Sequence, residues 1–223
     1  MLRTLTSILA FGLTAGAASA STVYFNDFDS GEGLGGSGAI VDAQGYDGVN
    51  GISGSFWHNV TETYRGYSES TLSLGNLIDH DYLTISFDIA FIDSWDGNIG
   101  RKVFGDDFFN ILVDGVTQLV TTNFGGIGDE LSDKALGYYG FNERWDDEAY
   151  RYTATFAHSG TTADFKFFAD GAGWQGKNDE SWAIDNLKIT AGSYVPEVPL
   201  PAALPLLIGG LGLLGFAGRR RRG

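Results

Sequence analysis

Residues 82–92, Y-L-T-I-S-F-D-I-A-F-I, alternate in period two. Leu83, Ile85, Phe87, Ile89 and Phe91 share one side, and Thr84, Ser86, Asp88 and Ala90 the other. Successive side chains of an extended chain point to opposite faces, so the run reads as a long strand with one face in a core. Such a strand needs paired neighbours and a second layer to cover its apolar face. Residues 21–197 supply them. Strand-like runs lie at 23–28, 39–42, 71–74, 108–113, 116–122, 150–157, 163–169 and 182–190, and no stretch keeps a helical period. Asp114-Gly115 separates two of these runs, and that pair suits a type I′ hairpin turn, whose central residues both take positive φ. The expected fold is all-β, an antiparallel jelly-roll-like β-sandwich forming one domain over 21–197. Two connections, 31–54 and 124–147, are long enough to be functional or mobile.

Both ends of the chain read as addresses. Residues 1–20 carry one positive charge (Arg3), an apolar stretch and a small-residue exit, Ala18-Ser19-Ala20. That is the pattern of a secretory signal peptide, with the Sec export machinery and signal peptidase as partners. The apolar stretch is short for an N-terminal membrane anchor. At the other end stand Val198, Pro199, Leu200, Pro201 and Ala202, an apolar run over 203–217, and Arg219, Arg220, Arg221 and Arg222. The uncharged stretch from Leu200 to Ala217 is about the shortest that crosses a hydrocarbon core of ~30 Å as a helix. The arginines orient it with the body outside and the last residues in the cytoplasm. A plain C-terminal transmembrane anchor satisfies the same hydropathy. A helix of a water-soluble core fits poorly, because it would not end in four arginines.

The order of Val-Pro-Leu-Pro-Ala, apolar span and arginine cluster resembles the VPLPA-CTERM sorting signal, a variant of the PEP-CTERM class of Gram-negative bacteria. The resemblance covers 198–223 and implies an exosortase-type transpeptidase that cleaves near the motif. The body would pass from an inner-membrane intermediate to the cell surface or extracellular matrix. The tail is then a substrate, and it says nothing about the activity of the body.

All 28 acidic residues lie between Ser21 and Glu197, with nine of the 14 basic ones, so the body carries a formal charge of −19. Such a body repels nucleic acid. It contains no cysteine, so an exported fold of this chain has no disulfide and depends on its core, on a metal, or on both.

F-N-D-F-D-S at 25–30, D-S-W-D-G at 93–97, D-D-F-F-N-I-L-V-D-G at 106–115 and S-W-A-I-D-N-L-K-I at 181–189 together resemble the concanavalin-like and MAM-like jelly rolls of bacterial surface proteins. The resemblance implies that the first and last strands lie side by side and are often tied by a cation. Asp27 or Asp29 would then meet Asp185, and calcium, which takes six to eight oxygen ligands, is the expected ion. Asp185 sits among Trp182, Ile184 and Leu187, and a buried carboxylate needs a partner. Backbone N–H groups or Lys188 would serve equally. A second candidate cluster is Asp93, Asp96, Asp106 and Asp107, brought together by strand ends. The same residues also suit a solvated acidic loop or a tight turn.

No cysteine nucleophile, G-x-S-x-G or H-E-x-x-H motif is present, and His58, His80 and His158 are scattered in sequence. The expectation is a non-enzymatic surface protein with a structural or adhesive role. The alternative is a displayed carbohydrate-binding module, with Trp145, Trp174, Tyr138 and Tyr139 as candidate stacking residues. The competing use of these rings is to cap the core. A polysaccharide-acting enzyme is the third reading.

Overall fold

The computed structural model describes residues 20–46, 49, 51–59, 61, 65–96, 105–122, 129–130, 147–177 and 179–194. The signal segment before Ala20, the sorting motif, the 203–217 span and the terminal arginines lie outside the described residues. Among the described residues no helix is long and apolar enough to cross a membrane.

The strands are β1 (Ala20–Asn26), β2 (Gly35–Gly36), β3 (Ala39–Asp42), β4 (Ser55–Asn59), β5 (Glu69–Leu74), β6 (Tyr82–Asp93), β7 (Asp107–Val113), β8 (Thr117–Thr122), β9 (Asp129–Glu130), β10 (Glu148–Ala157), β11 (Ala163–Gly171) and β12 (Glu180–Gly192). They form a seven-stranded sheet, β3-β4-β12-β6-β10-β9 with β1 also paired to β12, and a five-stranded sheet, β2-β5-β11-β7-β8. Every pairing is antiparallel. The body is the expected β-sandwich, and its first and last strands are neighbours, Phe25 opposite Lys188.

β6 is the spine. Its inward residues Leu83, Ile85, Phe87, Ile89 and Phe91 are at most 1% exposed. Phe87 meets Phe109 of β7 and Phe167 of β11 edge-on, at 6.2 and 6.1 Å between ring centroids. These contacts cross from one sheet to the other, and such pairs contribute ~0.5–1.5 kcal/mol each beyond the area they bury. The hairpin between β7 and β8 turns at Asp114 (φ 53°) and Gly115 (φ 70°), and Val116 N–H donates to Val113 O at 3.1 Å. That is the type I′ geometry expected of the Asp-Gly pair.

The 31–54 connection is not a bare loop. It contains β3 and a short 3-10 turn, Gln44–Tyr46. Its Tyr46 and Ile52 pack on Phe56, Ala90, Ile92, Ala149 and Ala183, a second small core on the outer face of the seven-stranded sheet. Alanines on three strands make room for it. Both faces of β4 and of the first half of β12 are therefore buried.

Candidate functional site

Three carboxylates converge where β7 and β12 begin. Asp107 is the first residue of β7, Glu180 the first of β12, and Asp96 lies just beyond the end of β6. One oxygen from each lies within 4.8 Å of the others, the one such acidic trio among the described residues. Backbone contacts fix the geometry. Asp107 N–H donates to Asp96 O at 2.9 Å, and Asp96 N–H donates to Asp107 Oδ2 at 2.5 Å. Glu180 accepts from the N–H of Gln175, from Gly176 N–H at 3.2 Å and from the Gln175 side-chain amide at 3.1 Å. Asp107 and Glu180 are both fully buried, and Asp107 Oδ1 has no hydrogen-bond partner among the described residues.

Burial, followed by the charge of Glu180, pushes the Asp107 carboxyl up to about 8. Burial likewise raises Glu180 to about 7, and Asp96 is raised by burial and by Asp179 and Asp106. No described lysine or arginine forms an ion pair with the trio. A buried, partnerless carboxylate oxygen in an all-oxygen set fits calcium or magnesium rather than zinc or copper, which favour nitrogen and sulfur. Asp96, Asp107 and Glu180 would hold such an ion, which would supply the missing positive charge between the two sheets.

Of the second candidate cluster, then, Asp96 and Asp107 are brought together, while Asp93 and Asp106 are not part of the trio. Asp93 is buried at φ 70°, with its N–H on Asp147 Oδ1 at 2.7 Å. Glu180, which is in neither candidate cluster, completes the site.

The first cluster is arranged differently. Asp185 is buried and accepts from Ser53 N–H at 3.2 Å and Asn186 N–H at 2.6 Å. Burial pushes its carboxyl up to about 7, helped by Asp88 and Asp29. Asp29 is exposed and accepts from Ser55 N–H at 2.8 Å, and Asp29 N–H donates to Asp27 Oδ1 at 3.3 Å. Gly54, at φ 66°, lets the chain pass Asp29, where a Cβ would collide with the carboxylate. Asp27, Asp29 and Asp185 thus bind backbone and do not form a trio of the kind at Asp107.

Trp174 lies in the core, 6% exposed, with Nε1 donating to Gly66 O at 3.0 Å and its ring edge-on to Trp95. Trp145, Tyr138 and Tyr139 lie outside the described residues. His80 and His158, far apart in sequence, meet at 2.7 Å between Nε2 and Nδ1.

A second feature lies on the outer face of the seven-stranded sheet, beside the small core. It is a groove of about 290 Å³, lined among others by Phe25, Ser86, Asp88, Arg151, Asn186 and Lys188. Cross-strand register builds it: Phe25 stands opposite Lys188, Lys188 opposite Ser86, and Asp88 opposite Arg151. Phe25 is 56% exposed. Arg151 donates Nε and Nη2 to the two oxygens of buried Asp88, at 2.7 and 2.9 Å, and Asn186 Nδ2 adds a third donor at 3.1 Å. An exposed ring beside fixed polar groups is the chemistry that sugar rings use for stacking and hydroxyl pairing.

No protein-family model matches the chain, and no curated protein matches it. Among solved structures, it is similar to the CBM22-1 xylan-binding domain of Paenibacillus barcinonensis Xyn10C, with 10% identity, TM-score 0.40, 81% of this chain and 100% of that one. It is also similar to the C-terminal CBM6 of LamC, a marine laminarinase from Zobellia galactanivorans (14%, TM-score 0.37, 78% and 99%). A third is TmCBM27, a carbohydrate-binding module that recognises mannan (11%, TM-score 0.39, 78% and 99%). These values are too low to carry a ligand or a site from those modules to this chain.

Proposed function

We propose that the chain is an exported polysaccharide-binding module, displayed at the surface or in the extracellular matrix of a Gram-negative bacterium. Its sandwich is tied at one end by calcium, held by Asp96, Asp107 and Glu180. The observation that carries the binding role is the groove beside Phe25, an exposed ring set in register with Lys188 and with the Asp88–Arg151 pair. Holding a matrix polysaccharide is itself the structural or adhesive role expected of an exported sandwich. The signal segment and the Val-Pro-Leu-Pro-Ala tail support export followed by exosortase processing. In this reading the module has no hydrolytic step of its own.

The test is binding of the full-length chain, in mild detergent and with calcium, to a panel of immobilised polysaccharides. Retention on at least one, lost in Phe25→Ala without loss of folding, is the expected result. No retention on any polysaccharide would overturn the binding role and leave a displayed structural sandwich.

A further inference from the structure

The charges of the groove narrow the ligand. Asp88 is saturated: its oxygens already accept from Arg151 twice and from Asn186 once. Lys188 is exposed and directly across the strand pair from Phe25, and its ammonium makes no ion pair or hydrogen bond among the described residues. Side chains opposed in this way stand with their Cβ atoms ~4.5–5.5 Å apart. A ring lying on Phe25 therefore has an unmatched ammonium at its edge. An ammonium offers donors and no acceptor. Neutral sugar hydroxyls need both, whereas a carboxylate needs donors alone. In a pyranose uronate the carboxylate projects from the ring edge, where Lys188 stands.

We propose, resting on the polysaccharide-binding reading above, that the groove takes an acidic polysaccharide of uronate residues, one sugar ring on Phe25 and its carboxylate on Lys188. The body's formal charge of −19 does not oppose this. Charges further away than ~8–10 Å are largely screened at physiological salt. Among the lining residues Arg151 is matched by Asp88 and Lys188 remains as the unmatched charge, while Asp185, buried beside Asp88, has its carboxylate on the N–H groups of Ser53 and Asn186. The acidic surface elsewhere disfavours polyanion binding outside it, which adds specificity.

The test compares uronate oligosaccharides with neutral oligosaccharides of the same linkage, and with the methyl-esterified uronates, by titration calorimetry on the full-length chain. The uronates are expected to bind about tenfold more tightly than the neutral set, the scale of one charge-assisted hydrogen bond. Methyl esterification should remove that difference, and Lys188→Gln should weaken uronate binding more than neutral binding, bringing the ratio of the two affinities close to one. Phe25→Ala should weaken both sets. Equal or tighter binding of neutral sugars, still lost in Phe25→Ala, would overturn the uronate assignment and leave the polysaccharide reading intact. Uronate binding indifferent to both Phe25→Ala and Lys188→Gln would overturn this site. Binding of neither set would overturn both readings.

Discussion

Asp107 and Glu180 open strands of different sheets, yet their carboxylate oxygens lie within 4.8 Å of each other. The pair bridges the two layers of the sandwich at one end, with Asp96 as the third member. Like charges this close and this buried repel unless they bind protons or a cation, and the consequences can be measured.

The first is a pH dependence with a definite sign. Asp107 is pushed up to about 8 and Glu180 to about 7. Unfolded carboxyls titrate near ~4. Between these values the folded chain holds protons that the unfolded chain has released, so raising the pH removes stability across that window. With a chelator present, Tm should fall from about pH 5 to about pH 8, and Asp107→Asn should flatten the fall. A Tm that climbs through the same window would contradict this account of the trio.

Asp88 makes a second prediction. It is 1% exposed and Arg151 is about half exposed at 49%. Arg151→Ala leaves a buried carboxylate with the Asn186 amide as its remaining hydrogen-bond donor from the groove. A fully buried broken pair costs ~3–5 kcal/mol, and solvent screening of the guanidinium reduces this to about 2 kcal/mol. Urea unfolding of the full-length chain would measure it. A change below ~0.5 kcal/mol would show that water replaces the arginine.

Phe87 packs on Tyr152, Phe109 and Phe167 at 1% exposure. Phe87→Ala is expected to destabilise by ~3–5 kcal/mol, the cost of an unfilled cavity between two sheets. Denaturant midpoints at unchanged slope would show it.

For the tail, Pro199→Ala with Pro201→Ala is expected to leave the body uncleaved in the inner membrane. Fractionation and immunoblotting distinguish a retained full-length chain from a processed one. Normal processing of the variant would remove the sorting assignment.

Much of the fold was legible because one periodicity was expressed without interference. β6 and β11 alternate, and Asp114-Gly115 has one conformational reason to exist. β4 was not anticipated because it does not alternate: Phe56 faces the small core and Trp57 the main one, so Ser55–Asn59 shows no polar face. The 31–54 connection looked like a loop because its apolar residues are sparse, yet Tyr46 and Ile52 suffice to cover alanines on the sheet. The acidic trio was half legible. Asp96 and Asp107 lie near each other in sequence, but Glu180 joins them through the pairing of β12 with β6, opposite Asp93. Nothing local to Glu180 announces it. Trp174 was offered as an exposed ring and lies in the core, because its loop folds back onto Trp95.

The cation-tied sandwich is tested most directly by thermal unfolding of the full-length chain, in detergent, across a calcium titration. An ion that binds only the folded state adds ~2.7 kcal/mol at a hundredfold excess over its Kd. For a body of this size that corresponds to a rise in Tm of about 5–10 °C. The rise is expected in the wild type and absent in Asp107→Asn. No rise at millimolar calcium, or an equal rise in Asp107→Asn, would contradict the assignment of the ion to the junction of β7 and β12.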